Sequence, residues 1–193
     1  SSDTTIGGSG NSSSMSGPDP NGDPWIVSIS DIHGYYKSAI NVLTALQDEG
    51  LKPIIDGNGN WAGNNYILVF NGDNMDRGPQ NEEVMEWVRS LRSQAPEGHI
   101  VYTIGNHESW TIYNLDRKEY AADDALRYKL MNEILQDHIK VAWKKYRYTY
   151  VHAGSYENFN PSKLNNDLKQ ATKQIIEYEE SFSGNPREDL KEI

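Results

Sequence analysis

Four short polar clusters punctuate this chain, and each directly follows a short apolar run. They are Asp31-Ile32-His33-Gly34, Gly72-Asp73-Asn74-Met75-Asp76-Arg77-Gly78, Gly105-Asn106-His107-Glu108 and His152-Ala153-Gly154. The runs ahead of them are Trp25–Ser30, Tyr66–Phe70, His99–Ile104 and Arg147–Val151, all rich in β-branched or aromatic residues and of strand length. Between them, apolar residues recur at helical spacing. Strands that alternate with helices predict an α/β layered fold, a β-sheet core flanked by helices. In open sheets of this kind, polar groups beyond the carboxyl ends of strands gather in one place.

The helices predicted by spacing are Tyr35–Glu49, carried by Ala39, Leu43 and Leu46 and stopped by Gly50, and Asn81–Ser93, carried by Val84, Val88 and Leu91. A third covers Ala122–Ile139 through Leu126, Leu130 and Ile134, and Leu164, Leu168, Ala171 and Ile175 mark a last one. Lys52–Asn65 reads as a hairpin or loop that turns at Asp56-Gly57-Asn58-Gly59-Asn60. Residues 1–23 are Ser-, Gly- and Asn-rich and cannot bury a core, so a flexible tail is expected there, with order from Trp25 and one domain over residues 24–193. Asn11-Ser12-Ser13 fits a glycosylation sequon. The stretch after Glu177 is acidic and expected to be solvated.

Composition removes several classes. The chain has no cysteine, which excludes disulfides, thiolate metal sites and cysteine nucleophiles. Its formal net charge of -10 argues against an extensive nucleic-acid footprint. No apolar run reaches the roughly 20 residues of a membrane span. The compartment stays open between secreted or periplasmic and cytoplasmic, with the N-terminal tail leaning toward export.

Asp31 with His33 offers a carboxylate and an imidazole, half a coordination shell for a borderline divalent metal. The two positions are two apart, which at the end of an extended strand would aim both to one side. One carboxylate, Asp73, can bridge two ions. Asn106 brings a neutral carbonyl oxygen, and His107 beside it a proton donor. Each cluster also has a plainer reading. Asp31 could cap a helix, Asp76-Arg77 could be a surface turn, Asn106-His107 another turn, and His152 a structural histidine. Four such clusters in this order, each after a strand, are not readily produced by chance.

Asp-x-His-Gly, Gly-Asp-x-x-Asp-Arg-Gly, Gly-Asn-His-Glu and His-Ala-Gly together resemble the calcineurin-like metallophosphoesterase superfamily, and Asp-Arg-Gly with Asn-His-Glu its phosphoprotein phosphatase branch. Trp61-Ala62-Gly63 is similar to bacterial and Shewanella-like members. The resemblance spans about Trp25 to Gly154. It implies a metallophosphoesterase fold and two divalent ions, with Mn, Fe and Zn all suited to nitrogen and oxygen ligands. Asp31 and His33 would hold the first ion, Asp73 would bridge, and Asn106 and His152 would hold the second. Arg77 would grip the substrate phosphate, with Asn106 and His107 beside it, and His107, oriented by Asp76, would protonate the leaving oxygen. The implied reaction is hydrolysis of phosphate monoesters, on phosphoprotein or small esters, by a hydroxide shared between the ions. A phosphoanhydride hydrolase acting on dinucleoside polyphosphates and a non-catalytic phospho-recognition module are the alternatives. Glu108 reads as structural, and His99 and His138 as ordinary.

The family pattern contains a further metal-binding histidine after His-Ala-Gly, and a second phosphate-binding arginine. This chain has no histidine after His152, and Arg187 has no matching motif. The expectation is a fold incomplete at its C-terminal side, with a missing segment, a second chain or self-association to cover the sheet.

Overall fold

The structure, a computed structural model, describes residues 14–113, 124–155 and 158–183. The Asn11 sequon, Ala122 at the expected helix start, and Arg187 lie outside the described residues.

Four strands form a parallel sheet in the order β1 (Trp25–Ile29), β2 (Tyr66–Asn71), β3 (Ile100–Thr103) and β4 (Ile139–Lys140). β2 reads as an unbroken apolar run because both of its faces are covered, and Tyr66 to Phe70 are all buried. On one face, Leu68, Phe70 and Tyr102 pack with the helices. There α1 (Tyr36–Ala45) contributes Ala39 and Leu43, and α2 (Asn81–Gln94) contributes Val84, Met85, Trp87, Val88 and Leu91. The Phe70 ring meets Trp87 edge-on with centroids 5.3 Å apart. α3 (Asn106–Tyr113) and α4 (Asp124–Leu135) complete this layer, α4 through Leu126, Leu130, Met131 and Ile134.

The other face is covered by an antiparallel hairpin, β5 (Ala142–Lys145) with β6 (Tyr148–Val151). Its Trp143 and Tyr150 pack on Ile67, Val69 and Val101. The last expected strand is therefore present, but it lies in this second sheet rather than beside β3. The fourth parallel position is held by the two-residue β4, which spacing had assigned to the end of a helix. That helix ends earlier, where Asp137 turns with a φ of 62° and the His138 amide donates to the Glu133 carbonyl. A two-residue strand carries no periodicity to read.

The helix α5 (Pro161–Ser183) runs past Glu177, where a solvated tail was expected. Glu179 explains the extension: it pairs with the buried Arg127 guanidinium and accepts from the Tyr128 hydroxyl. Order also begins before Trp25. The Ser16 amide donates to the Gly50 carbonyl at 2.7 Å, and the Asn65 side chain donates to the carbonyls of Asp19 and Gly22. Lys52–Asn65 forms the expected loop, closed by an Ile55–Trp61 bridge and tightened by the Asp56 carboxylate, which accepts from the amides of Asn58 and Asn60.

Candidate metal centre

Asp31, Asp73 and Asn106 lie just beyond the carboxyl ends of β1, β2 and β3, and His152 directly follows β6. The first two loops are joined by backbone hydrogen bonds that continue where the strands stop. The Asp31 amide donates to Gly72 O, His33 to Asp73 O and Gly34 to Asn74 O, each at 3.0 Å. Asp31 and His33 were expected to share a side as an extension of β1. They reach the same place differently, through left-handed turns with φ of 56° and 50°. Asp73, Asp76, Arg77 and Ala153 also have positive φ, so among the described residues six of the eight non-glycine residues in this region of backbone space lie in the site loops. Such strain persists only where surrounding contacts enforce it.

Glycine is required at two positions for close approach. Gly72 has a φ of 84°, and a Cβ there would come within 2.5 Å of the His152 ring. At Gly105 a Cβ would fall on the Asp73 amide and carboxylate. The third and second loops therefore touch, backbone against side chain.

Asp73 is buried and sits at the middle. Its Oδ1 accepts from the His107 amide at 2.9 Å, and its Oδ2 lies 3.3 Å from His152 Nε2 and 3.9 Å from His107 Nε2. Two sets of donor atoms, each within 4.8 Å of one another, share this carboxylate: Asp31, Asp73 and His152, and His33, Asp73 and His107. His33 Nε2 lies 3.6 Å from Asp31 Oδ1, and the His33 and His107 rings meet edge-on at 4.6 Å. Asn106 joins through its Oδ1, 3.2 Å from His152 Nε2.

Hydrogen-bond partners set the tautomers. His152 Nδ1 faces the Asn71 carbonyl at 2.9 Å and so carries the proton, which leaves Nε2 as an acceptor aimed at Asp73 and Asn106. His107 Nδ1 faces Asp76 Oδ2 at 3.1 Å. Asp76 is held in turn by the Arg77 amide on Oδ1, and its own amide donates to Asn81 Oδ1. The Arg77 side chain is exposed and makes no hydrogen bond or ion pair among the described residues.

A cation fits the residues present. The carboxylates of Asp31 and Asp73, the imidazoles of His33 and His152 and the Asn106 side chain converge on one place. With the Asn106 amide turned over, its nitrogen lies 3.1 Å from Asp73 Oδ2 and 3.2 Å from His152 Nε2 and can donate to both, so Asp73, Asn106 and His152 form one cluster in either orientation. His33 Nδ1 is buried without a partner. Oxygen and nitrogen donors of this mix suit borderline divalent ions.

All the residues singled out in the sequence come together here except Arg77, which stands at the rim. Glu108 is fully buried and accepts from five donors, Tyr102 among them. Burial, and then the Glu108 carboxylate, push the Tyr102 phenol well above its ordinary range, so it stays a hydroxyl donor. Asn81 and the Asn71 carbonyl were not anticipated; neither carries a motif, and only the fold brings them in.

Residues 24–190 match the family described as calcineurin-like phosphoesterase. An uncharacterized protein of Schizosaccharomyces pombe is 35% identical over 85 residues, 43% of this chain and 24% of its own length. Shewanella-like protein phosphatase 1 of Plasmodium berghei is 33% identical over 89 residues, 45% of this chain and 23% of its length. Among solved structures, the cold-active protein tyrosine phosphatase of a psychrophilic Shewanella species is 27% identical, with a TM-score of 0.59 over 78% of this chain and 50% of that one. A mutant of cold-active protein tyrosine phosphatase is 25% identical with a TM-score of 0.61 over the same shares. The matched region thus spans about a quarter of the curated relatives and half of the solved chains.

Proposed function

Because the chain belongs to the calcineurin-like phosphoesterase family, in its phosphoprotein-phosphatase-like branch, we propose that it hydrolyses phosphate monoesters at a centre of two divalent metal ions. The observation that carries this reading is that two sets of ligand atoms, each within 4.8 Å of one another, share the Asp73 carboxylate, beside an arginine that is exposed and has no partner among the described residues. Asp31, His33 and Asp73 would hold one ion, and Asp73, Asn106 and His152 the other. When bound, the ions supply Lewis acidity, lowering the pKa of a water toward neutrality and offsetting charge on the phosphoryl oxygens. Mn, Fe and Zn each suit the set.

The chain's own groups do the rest. Arg77 presents a fork of donors to the phosphate oxygens and stabilises their charge as it grows. Asn106 and His107 flank the same phosphate. His107 holds its Nδ1 proton on Asp76, which leaves Nε2 to face the site, and protonated there it delivers a proton to the departing alcohol oxygen. Phosphoserine, phosphothreonine and phosphotyrosine peptides are the proposed substrate class, with small phosphate esters as weaker ones.

Steady-state rates of the Mn-loaded chain on a phosphopeptide and on a dinucleoside tetraphosphate test the reading. Faster turnover of the phosphopeptide is expected. Preference for the tetraphosphate would move the assignment to phosphoanhydride hydrolysis, and no turnover of either would favour a binding module.

A further inference from the structure

Glu108 directly follows His107, yet its side chain points away from the ligand cluster into the interior, where it is 0% exposed. Its Oε1 accepts from the Asn74 amide at 2.7 Å, the Met75 amide at 3.3 Å and the Tyr102 hydroxyl at 2.7 Å. Its Oε2 accepts from the Asp73 amide at 2.9 Å and the Gly105 amide at 2.8 Å. Four of the five donors are backbone groups of the two loops that carry Asp73 and Asn106. The clamp is reciprocal: Asp73 Oδ1 accepts from the His107 amide at 2.9 Å.

Every partner is a donor, so only a group with acceptors on both oxygens satisfies the site. A glutamine of the same shape would turn an N–H toward the amides of Asp73 and Gly105, or toward those of Asn74 and Met75. Burying such an unmatched donor forces the loops apart. No lysine, arginine or histidine pairs with Glu108 among the described residues, so its charge is offset by these amides alone.

We propose that Glu108 is a positioning residue of the metal centre, fixing the distance between the Asp73 and Asn106 loops so that Asp73 can serve two ions at once. This rests on the reading of the site as a two-ion centre. Residues that orient ligands in this way typically change metal affinity by about 10–100-fold when replaced.

The test is Mn titration of the full chain, followed by calorimetry and by electron paramagnetic resonance, which shows a spin-coupled pattern only when two Mn ions share a bridging ligand. Wild type should bind two Mn with the coupled pattern. Folded Glu108→Gln should bind the weaker Mn about 10–100-fold less tightly and lose the coupled pattern at Mn levels that saturate wild type. Glu133→Gln, which breaks a buried ion network with Arg89 and Arg92 away from the site, serves as a destabilised control and should leave both readouts unchanged. If Glu108→Gln does not fold, Tyr102→Phe removes one donor from Oε1 and should weaken the second Mn about 10-fold, the lower end of that range. Folded Glu108→Gln, or in its place Tyr102→Phe, with wild-type affinity and the coupled pattern intact overturns the proposal alone. Wild type that binds no Mn overturns the metal-centre reading and this proposal with it.

Discussion

Replacing His107 with alanine separates two roles that its position allows. The ring lies with His33 and Asp73 in a set of possible ligand atoms, and it also hydrogen-bonds Asp76. Nδ1 is committed to Asp76 Oδ2 at 3.1 Å, and Nε2 lies on the side of the ligand cluster, 3.9 Å from Asp73 Oδ2. A lost general acid slows turnover by about 100- to 10,000-fold, or about 3–5 kcal/mol of barrier. The loss should depend on the leaving group. A serine alkoxide needs the proton and should show the full effect; a nitrophenolate leaves as a stable anion and should show far less. The variant also leaves Asp76 Oδ2 without its donor in a buried setting, a stability cost of about 1–3 kcal/mol. Rates are therefore compared per folded, Mn-loaded chain. Expected is unchanged Mn content, with a large kcat loss on a phosphoserine peptide and a small one on nitrophenyl phosphate. Loss of Mn from the folded variant would make His107 a ligand, and equal losses on both substrates would remove it as the leaving-group acid.

Other outcomes follow from the same geometry. Arg77→Ala should leave thermal stability within about 0.5 kcal/mol, since its guanidinium has no partner among the described residues. The same change should weaken inhibition by inorganic phosphate by about 10–100-fold, the worth of a charged hydrogen bond, and an unchanged inhibition constant would contradict its role. His138 accepts from Arg92 through Nδ1, and burial, then the Arg92 charge, hold its pKa below the ordinary 6.5. The folded state therefore binds fewer protons than the unfolded one. Stability from this group is full above 6.5 and falls as pH drops toward the lowered folded value. Melting curves on lowering the pH from about 7.5 to about 5.5 should show a decline that His138→Gln reduces, and parallel declines would refute the assignment. Glu133 acts in a lower window. Burial alone would raise its pKa, but hydrogen bonds and charge from Arg92, and then Arg89, outweigh this and hold it below 4.5, so its stabilisation is lost only as pH falls through that depressed value.

The layered α/β fold and its site loops were legible because each strand is a compact apolar run and each site loop carries a chemically unusual motif. The family match and the phosphatase structures agree with that reading of the fold. What escaped has physical causes. α3 was missed because the face it buries is partly polar: His107, Glu108 and Thr111 are buried with Ile112, so no apolar period appears. β4 is too short to show alternation. The left-handed turns at Asp31 and His33 are set by hydrogen bonds to the second loop, between residues about forty apart in the chain. Glu108 was visible in its motif, but its work depends on five donors that only the folded loops assemble. The extension of α5 depends on Glu179 meeting the buried Arg127.

At the centre of the proposed mechanism, Asp73 serves two cations. Equilibrium dialysis against Mn, with metal counted per folded chain, tests this most directly in wild type and Asp73→Asn. The geometry predicts two Mn in wild type and a loss of at least one in the variant, because the amide cannot replace a bridging carboxylate. Two Mn retained at wild-type affinity by folded Asp73→Asn, or none bound by wild type, would contradict it.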